Sequence, residues 1–173
     1  SGYSGIGKTR IIQEFYRNKL SKNVPITSAK FDVLQKTTPY SALISCMQNH
    51  IKTILQKDDE ILEYWKNKFS ENLKDNAPLL MDVIPELTIL MGYKAKVSHL
   101  PPEEAQNRFQ QTFISFISTL TSDDHSLILF LDDLQWADIA SIKLIEMILL
   151  DDSIRNLLFI GAYRDNEVDT THP

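Results

Sequence analysis

The feature that most constrains this chain is the segment GYSGIGKT at residues 2–9, which fits the pattern G-x-x-x-x-G-K-[ST]. Its glycines allow backbone conformations in which successive N–H groups converge on a phosphate, and a helical pattern follows at once. The first turn of a helix adds further N–H groups and a favourable dipole. The pattern therefore predicts a phosphate-binding loop, and the alternative is a glycine-rich turn with an incidental lysine.

Individual positions of this loop have separate expected roles. Lys8 supplies a positive charge for the β- and γ-phosphates, and Thr9 supplies a hydroxyl ligand for Mg²⁺. The predicted nucleotide-contacting residues share the loop or the first helical turn: Gly2, Tyr3, Ser4, Gly5, Ile6, Gly7, Lys8, Thr9 and Arg10.

A second motif, LILFLDD at residues 127–133, predicts a buried parallel strand that ends in carboxylates at a ligand crevice. Paired with the loop, it has the form of a Walker B strand. We expect Asp132 to hold Mg²⁺ and Asp133 to orient or deprotonate the attacking water. The alternative for Asp133 is a cap of a helix or turn.

Arg164 follows another apolar run, LLFIGA at residues 157–162. The carboxyl ends of parallel strands form the ligand side of an open sheet. Arg164 is therefore a candidate to contact a γ-phosphate or the Walker B carboxylates. A surface arginine paired with Asp165 or Glu167 is the alternative.

Composition and charge exclude several classes. The 173 residues carry a net charge of −5 with no basic stripe, which argues against a nucleic-acid surface. No apolar run approaches the roughly 18 residues that a membrane span needs. The single cysteine, Cys46, cannot form an internal disulfide and is expected to be a packing residue rather than a nucleophile. We therefore expect a cytoplasmic α/β protein.

Strands and helices alternate, which predicts a parallel sheet with flanking helices in one domain over residues 1–173. The strands are expected at about residues 25–31, 126–132 and 157–163, and a large helical insertion at about 38–122. Within the insertion we expect a helix to start at Thr38-Pro39 and a helix at 79–91 to be interrupted by Pro85.

Two further helices have clear start signals. Pro101-Pro102 opens a strong helix with an apolar stripe, whose aromatic residues are expected in the core rather than stacked on bases. Asp138 is the expected cap of a helix that carries Leu149 among its apolar positions. In the helix after the loop, Ile11 and Phe15 are among the expected apolar positions.

At this point the sequence resembles a known family. The blocks GYSGIGKT, KFDVLQKTTPYSALI, DVIPEL, LPPEEAQNRF, LFLDDLQWAD and GAYRDNEV occur in order and cover nearly the whole chain. They are similar to the predicted ATPase domain of multidomain signalling kinases, which also carry a serine/threonine-kinase-like domain, a GAF domain and a sensor histidine kinase. That domain belongs to the AAA-like, STAND-type branch of the P-loop (ASCE) NTPases.

The resemblance implies ATP and Mg²⁺ as cofactors, with phosphate binding at residues 2–9 and metal and water handling at Asp132 and Asp133. Arg164 matches a sensor-like position. The segment QWAD at 135–138 is typical of the branch but has no assigned chemistry, and Trp136 is either a packing residue or a nucleotide contact. Arg108 matches without an assigned role. The implied partners are the neighbouring kinase and sensor domains of a two-component signalling protein.

The usual strand order of this branch, 5-1-4-3-2, implies that three adjacent strands are retained here. The strand before the loop and the fifth strand would be missing, so the chain would be truncated at both ends. We therefore expect weak ATP binding by this piece alone and self-association through exposed strand edges.

Two functions remain open. The first is an ATP-hydrolysing, Mg²⁺-dependent regulatory switch, which the two acidic residues of the Walker B motif favour. The second is a scaffold that binds nucleotide without hydrolysing it. A phosphotransferase is disfavoured because no H-R-D catalytic loop or phospho-accepting histidine motif occurs.

Overall fold

The computed structural model describes residues 1–3, 6–19, 24–33, 38–93, 101–122 and 125–168, without the side chains of residues 13 and 16–19. Its helices are α1 (Lys8–Lys19), α2 (Ser41–Ile54), α3 (Asp59–Leu73), α4 (Ala77–Met81), α5 (Pro85–Met91), α6 (Pro102–Leu120) and α7 (Ile139–Leu150). Its strands are β1 (Ile26–Lys30), β2 (Leu127–Asp132) and β3 (Leu157–Gly161).

The three strands form a parallel sheet, as the alternation of strands and helices predicted, and their order is β1-β2-β3. Lys30 is in register with Asp132, and Leu131 with Gly161. The carboxyl ends of all three strands therefore lie side by side, so that the residues just after them meet at one edge of the sheet. This alignment positions the candidate site.

Strand β2 is buried on both faces, which explains its uninterrupted apolar sequence. Leu127, Leu129 and Leu131 join the main core, where helices cover the sheet. Because side chains alternate along a strand, Ile128 and Phe130 point to the opposite face, and both are also buried. The Asp132 side chain belongs to that opposite face.

The helical block α2–α6 supplies most of the remaining core. Phe69 of α3 stacks on Phe116 of α6 with ring centroids 5.1 Å apart, and Phe113 and Ile117 are fully buried beside them. The aromatic stripe of α6 therefore lies in the core, as expected.

The start of α2 differs from its predicted place. The helix begins at Ser41, and its N-cap is Tyr40 in the left-handed conformation (φ 65°) without a side-chain cap. Thr38 therefore does not cap the helix. Tertiary contacts hold Tyr40 instead, since its N–H donates to Ser141 Oγ and its hydroxyl accepts from Gln110 Nε2. These contacts join α2, α6 and α7, and a local sequence signal cannot reveal them.

Other boundaries follow local signals. Pro85 separates two short helices, α4 and α5, because proline at a first helical position starts a new helix. Pro101 precedes α6, and the Asp138 carboxylate accepts from Ser141 N–H as the cap of α7.

Three apolar side chains are more exposed than expected. Leu149 on α7 is 52% exposed, and Ile11 and Phe15 on α1 are 65% and 47% exposed. Periodicity assigns an apolar face to each helix, but only the neighbouring elements decide how much of that face is covered.

Within the described residues, no helix has the length and apolar character needed to cross a membrane.

Candidate functional site

The described part of the glycine-rich loop contains two glycines in backbone conformations that other residues rarely adopt. Gly2 has φ 146° and Gly7 has φ 91°, both in the region that favours glycine, and a side chain on Gly2 would collide with that of Ile6. Lys8 Nζ donates to the carbonyl oxygens of Gly2 and Tyr3, at 2.5 and 3.0 Å. The ammonium therefore lies against the two carbonyl groups at the start of the loop. Ser4 and Gly5 lie outside the described residues.

Helix α1 and strand β2 meet directly. Thr9 Oγ1 donates to Asp132 Oδ2 at 2.6 Å. The Oδ1 atom of the same carboxylate accepts from Asp133 N–H at 3.0 Å. A hydroxyl and a carboxylate at this distance provide two oxygen ligands of the kind that Mg²⁺ uses together with phosphate oxygens and water.

Asp133 occupies a special backbone position. It is in the left-handed conformation (φ 53°, ψ 47°), which short polar residues tolerate better than others, and its side chain is only 7% exposed. Lys30 Nζ approaches its Oδ2 at 2.8 Å, and Arg164 Nε approaches its Oδ1 at 3.3 Å. The buried carboxylate is thus compensated by two cations from the ends of β1 and β3.

These contacts determine the protonation state of Asp133. Burial by itself raises the pKa of the carboxyl, but the hydrogen bonds from Lys30 and Gln135 and the charges of Lys30 and Arg164 outweigh it. The net effect lowers the pKa, so the carboxylate is ionised at neutral pH. The same pairing raises the pKa of Lys30, chiefly through its hydrogen bond to Asp133.

Gln135 and Glu167 extend the cluster. Gln135 Nε2 donates to Asp133 Oδ1 at 3.3 Å and to Glu167 Oε2 at 3.0 Å, and Gln135 Oε1 accepts from Arg164 N–H at 3.2 Å. Arg164 Nη1 donates to Glu167 Oε1 at 2.7 Å. Arg164 therefore contacts both the Asp133 carboxylate, one of the two predicted for it, and Glu167, its predicted surface partner.

The remaining candidates occupy different surroundings. Tyr3 and Ile6 are 68% and 57% exposed, and Arg10 is also exposed. Trp136 packs against the core, which favours its packing role. Arg108 Nε donates to Asn76 Oδ1 at 2.7 Å within the helical block, so the structure gives it a contact between helices.

Sequence reasoning did not identify Lys30, Gln135 or Glu167 as parts of the site. A signal for Lys30 was available, because it closes the first predicted strand and parallel strands end at one edge. Gln135 belongs to the segment QWAD, which has no assigned chemistry, and the direction of its side chain depends on the turn at 134–136. The sequence indicates Glu167 only as a surface partner of Arg164.

The donor set limits which metal chemistry the site suits. Among the residues that the structure describes, no group of three or more His, Cys, Asp or Glu side chains is arranged to hold a metal ion. A protein-only cage is therefore not present in that part of the chain. One hydroxyl and one carboxylate fit Mg²⁺, which commonly keeps waters and shares phosphate oxygens.

Comparison with known proteins places these residues in a family context. The family model described as "AAA ATPase domain" matches residues 1–160. The chain is 36% identical over 149 residues to "Hybrid signal transduction histidine kinase G" of Dictyostelium discoideum. The aligned region covers 86% of this chain and 4% of that protein. It is 29% identical over 169 residues to "Histidine protein kinase 1" of Candida albicans, and this aligned region covers 88% of this chain and 7% of that protein.

The chain thus spans less than a tenth of the length of either relative. No solved structure matches it.

Proposed function

This chain belongs to the AAA ATPase domain family, and we propose that it binds ATP with Mg²⁺ and hydrolyses it as a regulatory switch in a signalling protein. The family and the histidine-kinase relatives support the coarser statement, a nucleotide-binding signalling domain. The observation that carries the proposal is the 2.6 Å contact between Thr9 Oγ1 and Asp132 Oδ2, because it unites the phosphate loop with the Walker B strand.

Lys8 and the loop would bind the triphosphate. The first-turn N–H groups of α1 and the positive end of its dipole favour an anion at this place. The Lys8 ammonium contacts two loop carbonyls and can exchange them for phosphate oxygens, which are stronger acceptors because they carry charge. This exchange would place positive charge near the β- and γ-phosphates.

Thr9 and Asp132 would hold Mg²⁺, in part through water. When bound, Mg²⁺ neutralises charge on the phosphate oxygens. The Thr9 hydroxyl would then turn its lone pairs to the metal rather than its proton to Asp132. The backbone N–H of Asp133 would continue to orient the Asp132 carboxylate through Oδ1.

Asp133 would orient or deprotonate the attacking water, with Arg164 as a sensor of the γ-phosphate. An ionised carboxylate is required to orient the water, and the lowered pKa of Asp133 keeps it ionised, although it also makes the carboxylate a weaker base for deprotonation. Arg164 is 27% exposed and shared between two carboxylates, so a third anion can compete for its donors. Its movement would couple the γ-phosphate to the end of β3.

The relatives' names support a proposal about the partners. We propose that the nucleotide state alters how this domain contacts neighbouring kinase and sensor domains in a cytoplasmic signalling protein. Self-association is a further proposal, since β3 is an edge strand of the described sheet and its Leu158 is 48% exposed.

A non-hydrolysing scaffold is the second candidate. The observation that favours it is the pairing of Asp133 with both Lys30 and Arg164, because two cations make a carboxylate a weaker base. Tight ATP binding without release of phosphate would select this function.

The deciding experiment measures binding and turnover on the same preparation. Isothermal titration gives the affinity for Mg²⁺–ATP, and a phosphate-release assay gives kcat. Binding with turnover that disappears in Asp133→Asn supports the switch. Unchanged turnover in that variant would remove Asp133 from the mechanism, and absent binding would contradict both candidates.

A further inference from the structure

We propose that Gln135 is a positioning residue that holds the Asp133 carboxylate and the Arg164 loop in one fixed arrangement. This proposal rests on the hydrolytic function proposed above. Gln135 is 2% exposed and lies in the 3₁₀ turn Leu134–Trp136 directly after the Walker B carboxylates. It is thus a buried amide between the ends of β2 and β3.

The amide meets its neighbours with matched donors and acceptors. Nε2 donates to carboxylate oxygens of Asp133 and Glu167, which can only accept when ionised. Oε1 accepts from the Arg164 backbone N–H, which can only donate. The orientation of the amide is therefore determined by chemistry on both sides, and a flipped amide would lose all three hydrogen bonds.

The contacts differ in how they would respond to a bound nucleotide. Lys30 is 62% exposed and Arg164 is 27% exposed at the side chain, so both cations can turn toward a new anion. Gln135 is neutral and buried, and a phosphate does not attract it in the same way. We therefore assign to Gln135 the contact that keeps Asp133 oriented when its cationic partners are shared with phosphate.

Other side chains of similar size cannot perform this role. Leucine fills the space but provides no hydrogen bond, which leaves the Arg164 N–H without this partner. Glutamate can still accept from that N–H, but it adds a third negative charge facing Asp133 and Glu167. Only an uncharged group that both donates and accepts satisfies these three neighbours.

The test uses the 173-residue chain with Gln135→Leu and Gln135→Glu, and measures kcat and KM for Mg²⁺–ATP hydrolysis. We expect kcat to fall roughly 10- to 100-fold in both variants, the usual loss when a supporting hydrogen bond to a functional group is removed. KM should change less than about threefold, because the phosphate loop is untouched.

The two variants separate the alternatives. Wild-type kcat in Gln135→Leu would mean that the residue only fills space, and wild-type kcat in Gln135→Glu would mean that holding the Arg164 N–H suffices. Either result would overturn the proposal. Gln110→Leu is the matched control, since Gln110 is also buried but donates to Tyr40 in the helical block. It should leave kcat unchanged.

A second measurement does not depend on hydrolysis. In a double-mutant cycle, Gln135→Leu and Asp133→Ala are combined and unfolding by urea is followed. The double variant should lose less stability than the sum of the single variants, while Gln110→Leu with Asp133→Ala should be additive. Additivity at Gln135 would overturn the positioning role. A wild-type chain that releases no phosphate would instead contradict the proposed hydrolysis, and the cycle would still decide about Gln135.

Discussion

The Thr9 hydroxyl donates to the Asp132 carboxylate across 123 residues of sequence, at 2.6 Å. This hydrogen bond joins the first turn of α1 to the carboxyl end of β2. It is formed between the two side chains that the sequence motifs assigned separately to Mg²⁺. This contact brings the loop helix and the end of β2 together at the candidate site.

Lys8→Ala should remove most of the affinity for ATP. A charge-assisted hydrogen bond contributes about 1.5–3 kcal/mol, which corresponds to a loss of roughly 10- to 150-fold in affinity. Isothermal titration with Mg²⁺–ATP measures the loss. Lys66→Ala is the control, because Lys66 is exposed and pairs with Glu63 on α3. A Lys8 variant that binds like the wild type would contradict the phosphate-loop assignment.

Asp132→Asn and Asp133→Asn should have different effects. The first removes charge from the proposed metal ligand, so Mg²⁺-dependent binding should weaken along with hydrolysis. The second leaves Thr9 and Asp132 in place, so binding should persist while hydrolysis falls by about 10²-fold or more. Titrations of ATP with and without Mg²⁺, combined with phosphate release, separate them. Normal hydrolysis in both variants would exclude the switch mechanism.

Arg164→Ala should weaken ATP more than ADP, because only ATP offers a γ-phosphate to the guanidinium. The ratio of the two dissociation constants is the measured quantity. Arg155→Ala is a suitable control, since Arg155 lies before β3 and its Nε donates a hydrogen bond to the Asp152 carbonyl oxygen. Equal losses for both nucleotides would restrict Arg164 to its pairing with Asp133 and Glu167.

His50 should make the stability depend on pH. Burial lowers the pKa of His50 from 6.5 to about 4 in the folded chain, and its Nδ1 has no hydrogen-bond partner among the described residues. At pH values between these two pKa values, His50 is protonated in the unfolded chain but not in the folded one. The stability therefore falls as the pH drops from about 6.5 toward 4. At pH 5 the loss from this group should be about 2 kcal/mol relative to neutral pH.

His50→Leu provides the comparison for that loss. Carboxylates also titrate in this range, so the quantity to compare is the difference between the wild type and the variant in urea unfolding at pH 7 and pH 5. The variant should lose less stability between the two pH values. Identical losses would show that His50 does not titrate with a lowered pKa.

Much of the fold could be predicted from local patterns. The continuous apolar run of β2, the proline before α6 and the Asp138 cap each act through neighbouring residues, and each predicted its element near its observed bounds. The start of α2 could not be predicted, because Tyr40 is held in a left-handed conformation by Ser141 and Gln110 from distant helices.

The sequence alone indicated which chemistry its two main motifs can perform. A glycine-rich loop before a helix and an apolar strand closed by aspartates indicate chemical roles through residue type and spacing, so Lys8, Thr9, Asp132 and Asp133 could be named as candidates in advance. The tertiary structure decided which charges surround Asp133. Lys30 and Arg164 reach it only because parallel pairing aligns the carboxyl ends of three strands. Ion pairs and hydrogen bonds act over a few ångströms in space, and distance along the chain does not report that separation.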